Sequence, residues 1–447
     1  MGGKLPRTGR LARGAIAGAA VARAGVAHLG HRLGQMGQDL TPSTEAADQA
    51  RAAHEAKLGR ILFGALNQLK GTALKASQLL SMELGLLPEP MRKELARAHY
   101  QVTPLNRALV IKLMRQELGA GPDELFASFE PQAFAAASLG QVHAATLHSG
   151  EAVAVKLQYP GMASSIHSDL AILRTLLQAL GRGPALPQPH VIDALMDDIA
   201  AKLAEELDYQ HEAEQLSWFA ERLQDQPALV LPRPVAALSS RRILTMQRLQ
   251  GLHLDEWLAT GPSQTERDHY GQLLFDLFLR SVFELQRLQA DPHPGNSLFM
   301  PEGRLGLLDF GCTRSLSAGF CQHLSAAWGA LLRRPCNTAA LQQTYVNLGL
   351  LRPEMSAETF SQELLPALQD LLNWQVRPFT EAVFDFGQHP PPPRTGAAHQ
   401  RTAVGHLQSM APELPYFDRS YLGLLQTLRA LGARVRTTNC WIHSSSI

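Results

Sequence analysis

The few segments of this chain that read only as strand limit its fold most. Residues 151–158 (EAVAVKLQ) form a short β-branched and apolar run, the pattern of a buried strand. Residues 242–249 (RILTMQRL) read as a second strand, and residues 305–310 are strand-like. Helix surrounds them. Residues 45 to about 120 are helical almost throughout, with apolar spacing at Leu58, Ile61, Leu62, Leu69 and Leu74. Pro88 and Pro90 break that block, and Thr103 as a cap with Pro104 in the first turn predicts a restart that runs to Leu118. Residues 166–180 and 191 to about 223 read as long helices, and from Gln264 onward the chain is mostly helical. Strands in the first half and helices in the second predict an α+β, two-lobed arrangement, predominantly helical overall.

At 447 residues the chain has room for one two-lobed enzyme with extensions. With 45% hydrophobic and 18% charged residues its composition is globular rather than disordered. A formal net charge of +1 gives no reason to expect nucleic acid as a partner. Cys312, Cys321, Cys336 and Cys440 form no CxxC pair and have no metal-ligand spacing, so reduced thiols are expected rather than a disulfide framework or a zinc site. The sequence holds no run of about eighteen apolar residues, so an integral membrane span is not expected.

Phosphoryl transfer asks three things of a protein. It needs a cation against the nucleotide phosphates, carboxylate or amide oxygens for magnesium, and a carboxylate to orient or deprotonate the acceptor. Kinases supply these from a strand lysine, an acid on the following helix, Asp-x-x-x-x-Asn in a loop, and Asp-Phe-Gly after another strand. All four occur here in that order. Val153-Ala154-Val155-Lys156 matches the strand pattern, and Glu205, Glu206, Asp208 and Glu212 lie on the intervening helix. Asp291 to Asn296 (DPHPGN) has the loop spacing, and Asp309-Phe310-Gly311 follows the apolar residues 305–308. Each piece alone is weak: a strand lysine is ordinarily a surface residue, and Asp291 could simply cap a helix. A second Asp385-Phe386-Gly387 lacks the upstream loop and opens into a proline-rich stretch at residues 390–393, so it reads as a chance occurrence. The joint order predicts a protein kinase-like fold with an N-terminal helical extension. It divides into a basic small-residue arm (1–44), the extension (45–126), an N-lobe (127–250) and a C-lobe with C-terminal helices (251–447).

One part is absent. No G-x-G-x-x-G precedes Lys156; the place is taken by Ala135-Ala136-Ala137-Ser138-Leu139-Gly140-Gln141-Val142-His143. Alanine lacks glycine's freedom at φ > 0, so a loop so built is expected to hold nucleotide differently from an ordinary protein kinase.

The alanine-rich loop, VAVKLQYPG (153–161), ELDYQHEA (206–213), ADPHPGN (290–296) and LLDFGCTR (307–314) together resemble the UbiB/AarF family, atypical kinase-like ATPases linked to ubiquinone biosynthesis. The resemblance runs from about Lys70 to Arg314, with a weaker match in the C-terminal helices. It implies ATP and Mg2+ as cofactors. Lys156 would contact the α- and β-phosphates and be held by Glu212, while Asn296 and Asp309 would hold the metal. Asp291 would be the base or water-orienting group. Ala135, Ala136, Ala137 and Ser138 would line the nucleotide, with Met246 to Leu249 as the hinge beside adenine. The family's Lys-x-Gly-Gln signature corresponds to Lys75-Ala76-Ser77-Gln78, with serine for the usual glycine. By that resemblance Lys75 and Gln78 guard the site against peptides, and Lys75 pairs with Glu206. For His293, His143 and Cys312 the expected roles are loop stabilisation and packing.

Three functions follow from these residues: an ATPase or small-molecule kinase supporting quinone-lipid biosynthesis at a membrane, a protein kinase, or a non-catalytic nucleotide- and lipid-binding scaffold. A quinone-precursor lipid and a complex with biosynthetic enzymes are the partners the resemblance implies, and nucleic acid is not among them. The arm carries Lys4, Arg7, Arg10, Arg13, Arg23 and Arg32 before its first acid, Asp39. It reads as a solvated basic extension, as a segment on an anionic membrane surface, or as an organellar transit peptide. The corresponding locations are the cytoplasm, the inner membrane surface, or an organelle after import. On the membrane reading, the chain binds anionic vesicles in a salt-sensitive way and loses that binding when residues 1–38 are removed; equal binding by the truncated form would refute it.

Overall fold

The structure is a computed structural model that describes residues 18–20, 22–23, 44–69, 73, 75–77, 80, 89–95, 105–137, 139–180, 189–393, 396–407 and 411–442. Gln78, Ser138, Thr103 and Pro104 lie outside them. The chain forms two compact units, Met1–Glu214 with Arg233–Arg248, and Gln215–Pro232 with Leu249–Ile447.

The first unit is built on a five-stranded antiparallel sheet. Its strands are β1 (Ser128–Phe129), β2 (Ala135–Ala137), β3 (Gly140–Thr146), β4 (Ala152–Gln158) and, after β5 (Leu229–Val230) of the second unit, β6 (Ile243–Gln247). The order is β1-β3-β4-β6, with β2 also paired to β3. Alternation sets what each face of β4 carries. Val153, Val155 and Leu157 are fully buried in the main apolar core, which leaves Ala154, Lys156 and Gln158 on the other face.

The same core takes in the helical extension. On the Thr44–Leu69 helix, Leu58, Leu62, Ala65 and Leu66 recur at helical spacing and are buried with Met91 and Leu95 of the Glu89–Leu95 helix. The two helices approach closely at Gly59, where a Cβ would stand 2.9 Å from the Met91 Cα. The Arg107–Leu118 helix starts from Asn106, whose side chain accepts from the Leu109 N–H at 3.0 Å, and stops at Gly119 with φ +82°.

Residues 191–223, expected as one helix, are two: Pro189–Glu206 and Tyr209–Arg222. The break falls at Leu207 and Asp208, because Asp208 starts a new helix. Its carboxylate accepts from the His211 N–H at 3.2 Å and its carbonyl from the Glu212 N–H at 3.1 Å.

The second unit is mainly helical. The Gln264–Phe283 helix begins in a Ser263–Glu266 capping box and runs against the Leu414–Leu431 helix. Phe278, Phe417, Tyr421 and Trp328 stack around that contact with ring centroids 5.0 to 5.9 Å apart. Three small ladders complete it. Strand β7 (Arg287–Gln289) pairs with β10 (Thr313–Ser315), and β8 (Ser297–Met300) with β9 (Arg304–Leu307), which also takes β5 in parallel. The third joins β11 (Val383–Asp385) to β12 (Arg434–Arg436). At the edge of this unit Trp218 is flanked by two arginines, with the guanidinium carbons of Arg222 and Arg287 each 4.1 Å from its ring centroid. Among the described residues no helix is long and apolar enough to cross a membrane.

The proline-rich stretch is anchored by His389, which is 2% exposed and stacks on Trp374 at 4.9 Å, while the Trp374 indole N–H donates to the Pro390 carbonyl at 2.8 Å. Neither ring nitrogen of His389 meets a hydrogen-bond partner among the described residues. Burial first, then the charges of Arg377 and Arg429, push its pKa down to about 4. The folded chain therefore keeps this imidazole neutral at pH values where the unfolded chain, titrating near 6.5, binds a proton. Stability is expected to fall as pH drops from about 6.5 toward 4, by roughly 3 kcal/mol at most. Thermal melts at pH 7.5 and 4.5 check this: His389→Leu should flatten the difference, and an undiminished difference would remove His389 as its source.

Candidate active site

Lys156 sits in the middle of the sheet, between Val142 on β3 and Leu244 on β6. Its ammonium lies 2.8 Å from both carboxylate oxygens of Glu212 and 5.0 Å from the centroid of the Tyr209 ring. The ammonium and carboxylate are almost sealed from water, with side chains 10% and 3% exposed. Glu212 reaches this position because Asp208 sets the start of its helix, while the preceding turn is held by the Gln158 side chain, which donates to the Leu207 carbonyl at 3.0 Å. Lys75 pairs with Glu206 at 3.0 Å, with side chains 14% and 16% exposed. Ser77, the serine in the signature, is fully buried and donates to the Leu95 carbonyl at 3.4 Å. Its extra hydroxyl is thus accommodated.

The alanine-rich segment is half strand. Ala135, Ala136 and Ala137 form β2 and pair with Val142, Gln141 and Gly140 on β3, with Ala135 and Ala136 exposed. Gly140 is required where it stands, since a Cβ there would lie 2.2 Å from the Leu157 carbonyl oxygen and 2.8 Å from the Tyr209 hydroxyl. Of the expected hinge, Met246 is buried opposite Ala154, and the ladder continues to Arg248, whose N–H donates to the Ala152 carbonyl at 3.0 Å. The backbone of Met246 is therefore spent in the sheet. Leu249 follows as the first residue of the second unit's longer segment.

In the second unit Asp291, Asn296 and Asp309 line one cavity of about 130 Å³, together with Gln289, Phe310 and Leu307. The loop that carries Asp291 is pinned at one point. The Asp291 carbonyl accepts from the Gln289 amide at 2.8 Å, the Asn296 amide at 3.0 Å and the His293 N–H at 2.8 Å. Gln289 also donates to the Asp309 carbonyl at 3.3 Å, and the Leu308 N–H to the Asn296 carbonyl at 2.9 Å, which ties the loop to the Asp-Phe-Gly turn. The Asn296 side chain thus uses its amide nitrogen within the loop, and its amide oxygen is the atom that could face a cation. The Asp309 carboxylate accepts from the Gly311 N–H at 2.9 Å, and Phe310 packs on Phe219 at 4.6 Å.

His293 accepts from the Gly295 N–H at 3.0 Å within its own loop. His143 is bridged between the Gln141 amide at 2.6 Å and the Glu130 carbonyl at 2.8 Å, and burial lowers its pKa. Asp385-Phe386-Gly387 makes the same local turn as the first copy, Gly387 N–H to Asp385 carboxylate at 2.9 Å, but Phe386 is core and Asp385 lies beside Arg434 at 3.6 Å.

One residue was invisible in the sequence. Arg419 donates to the Asp291 carboxylate at 2.6 Å from the Leu414–Leu431 helix. Among the described residues no group of three His, Cys, Asp or Glu side chains could hold a metal alone. An amide oxygen and one carboxylate are nonetheless hard oxygen donors that suit magnesium, which keeps waters and phosphate oxygens in its shell and does not require an all-protein cage.

A family model described as the ABC1 atypical kinase-like domain matches residues 97–342, more than half of the chain. The sequence is 34% identical over 271 residues to the mitochondrial atypical kinase COQ8B of Danio rerio, covering 60% of this chain and 42% of that one. It is 33% identical over 256 residues to the mitochondrial atypical kinase COQ8 of Saccharomyces cerevisiae, covering 57% and 50%. The chain thus spans about half the length of the curated relatives it matches. A solved structure, the complex of Rv3197 with erythromycin from Mycobacterium tuberculosis, aligns with a TM-score of 0.62 at 27% identity, over 87% of this chain and 96% of that one.

The two ion pairs of the first unit should differ in weight. Removing one partner of a sealed pair leaves a charge in low dielectric, so Glu212→Gln is expected to cost about 3 kcal/mol in denaturant unfolding. Glu206→Gln, at the somewhat wetter pair, is expected to cost less than that. Equal losses would show that burial does not separate them.

Proposed function

The chain belongs to the ABC1 atypical kinase-like family, and on that footing we propose that it is a magnesium-dependent ATPase or small-molecule kinase acting in quinone-lipid biosynthesis. The observation that carries this reading is the convergence of Asp291, Asn296 and Asp309 on one cavity, with the loop and the Asp-Phe-Gly turn cross-tied through Gln289. Positioning and charge stabilisation are most of what phosphoryl transfer needs from a protein. Each residue then has a task. Lys156, held by both oxygens of Glu212, offers a fixed cation to the nucleotide phosphates. The Asn296 amide oxygen and the Asp309 carboxylate hold magnesium, which when bound neutralises phosphate charge. Asp291 orients the acceptor, water or a small hydroxyl compound.

Two features favour this over phosphorylation of proteins. Ala135 and Ala136 are exposed methyls on a short strand where protein kinases use glycines, and Lys75 is committed to Glu206 in the helical extension. The resemblance to UbiB/AarF proteins extends the reading to a quinone-precursor lipid, to peripheral membrane contact and to a complex with biosynthetic enzymes. The mitochondrial location belongs to the COQ8 and COQ8B relatives by name.

Purified chain should release phosphate from ATP with magnesium. Asp309→Asn should lower that rate at least about 100-fold without shifting the thermal melt, since it removes a metal ligand and its charge. Unchanged hydrolysis in that variant would overturn the assignment. Label appearing on added proteins would favour a protein kinase, and ATP binding without phosphate release a scaffold.

A further inference from the structure

The Leu414–Leu431 helix lies beyond residue 342, where the family match ends, yet one of its faces is set against the candidate catalytic loop. Three neighbouring positions make separate contacts. Arg419 donates to Asp291 Oδ1 at 2.6 Å. The Ser420 hydroxyl donates to the Gln289 carbonyl at 3.3 Å, two residues before Asp291. Gly423, one turn on, is so close to the loop that a Cβ would stand 2.2 Å from the Pro292 Cβ. The helix itself is rigidly seated. Phe417, Tyr421, Leu425 and Leu428 are buried on its inner side, and the Tyr421 hydroxyl donates to the Gln375 carbonyl at 2.7 Å.

An aspartate that orients an acceptor needs a fixed carboxylate plane, and the loop that carries it has prolines at 292 and 294, which lack backbone donors. The three donors on the Asp291 carbonyl fix the main chain, but they do not fix rotation of the side chain about χ1 and χ2. Arg419 does. A planar guanidinium at charge-assisted distance holds one carboxylate oxygen and so sets the direction of the other.

We propose that the Leu414–Leu431 helix is part of the phosphoryl-transfer machinery, with Arg419 as a positioning residue that holds Asp291 Oδ1 and turns Oδ2 to the acceptor. This rests on the ATPase reading above. Gly423 is the second element of the device, because only hydrogen lets the helix carry Arg419 up to the loop.

The test uses the full chain and follows magnesium-dependent ATP hydrolysis, fluorescent-nucleotide binding and thermal melts in parallel. Arg419→Met should lower kcat by about 100-fold, the scale expected of a misaligned group, while nucleotide affinity stays within about 2-fold. Arg419→Lys, which keeps the charge and loses the fork, should recover part of that rate. Asp291→Asn combined with Arg419→Met should be no slower than Asp291→Asn alone, because the arginine acts only through the carboxylate. Should Arg419→Met fail to fold, Arg419→Lys and Gly423→Ala carry the test, the latter pushing the helix off Pro292 and lowering kcat with binding intact. A folded Arg419 variant with wild-type kcat overturns the inference and leaves the ATPase reading standing. Absence of hydrolysis in the wild-type chain overturns both.

Discussion

Lys156 stands on the central part of a five-stranded sheet with its ammonium against both oxygens of Glu212, and the two side chains are closed off from water. An ammonium in that position without its carboxylate would cost several kcal/mol, so the structure around it must keep Glu212 in place. Much of the first unit can be read as meeting that condition. The helix is restarted at Asp208 and so brings Glu212 into its first turn. Gln158, on the same face of β4 as Lys156, fastens the turn before it. Tyr209 lies under the ammonium, and Gly140 leaves room for its hydroxyl. A strand, a turn and a helix are thus adjusted to one ion pair.

The second unit meets a different difficulty. Its candidate loop packs Pro292, Pro294 and Gly295 into six residues, which gives it few backbone donors and little intrinsic stiffness. Side-chain amides supply the order instead. Gln289 and Asn296 both reach the Asp291 carbonyl, and a guanidinium from another helix reaches the Asp291 carboxylate. The hydrogen bond that stiffens the loop through Asn296 uses its amide nitrogen, which is the arrangement the proposed magnesium site would need of its oxygen.

The fold class, and the residues that gather at the candidate site, were legible because their signals are local. A β-branched run, an Asp-x-x-x-x-Asn spacing and an Asp-Phe-Gly after an apolar run each depend on neighbours a few residues away, and their order along the chain carries the kinase-like pattern. The helix break at Leu207 and Asp208 was hidden because the apolar periodicity of residues 191–223 continues across it, although an aspartate before Tyr209 is the type of residue that starts helices. Arg419 left no local trace: it sits 128 residues from Asp291 on an ordinary amphipathic helix, and only folding joins them. The second Asp-Phe-Gly teaches the converse. Asp385 to Gly387 closes the same hydrogen-bonded turn as Asp309 to Gly311, so the tripeptide decides the turn and the surroundings decide its use.

The helix that begins at Tyr209 with Glu212 in its first turn carries Trp218 further along, between Arg222 and Arg287. Of the five tryptophans, Trp257, Trp328 and Trp374 are buried in the second unit's apolar interior, where the dielectric changes little. Trp218 instead is half-buried with two cations against its ring. The excited state of an indole shifts charge across its rings, so its emission colour records the field those cations impose. A chromophore sensitive to charge is therefore built into the same helix as the glutamate that holds Lys156, and light emitted there reports on the arginines beside it without any added label.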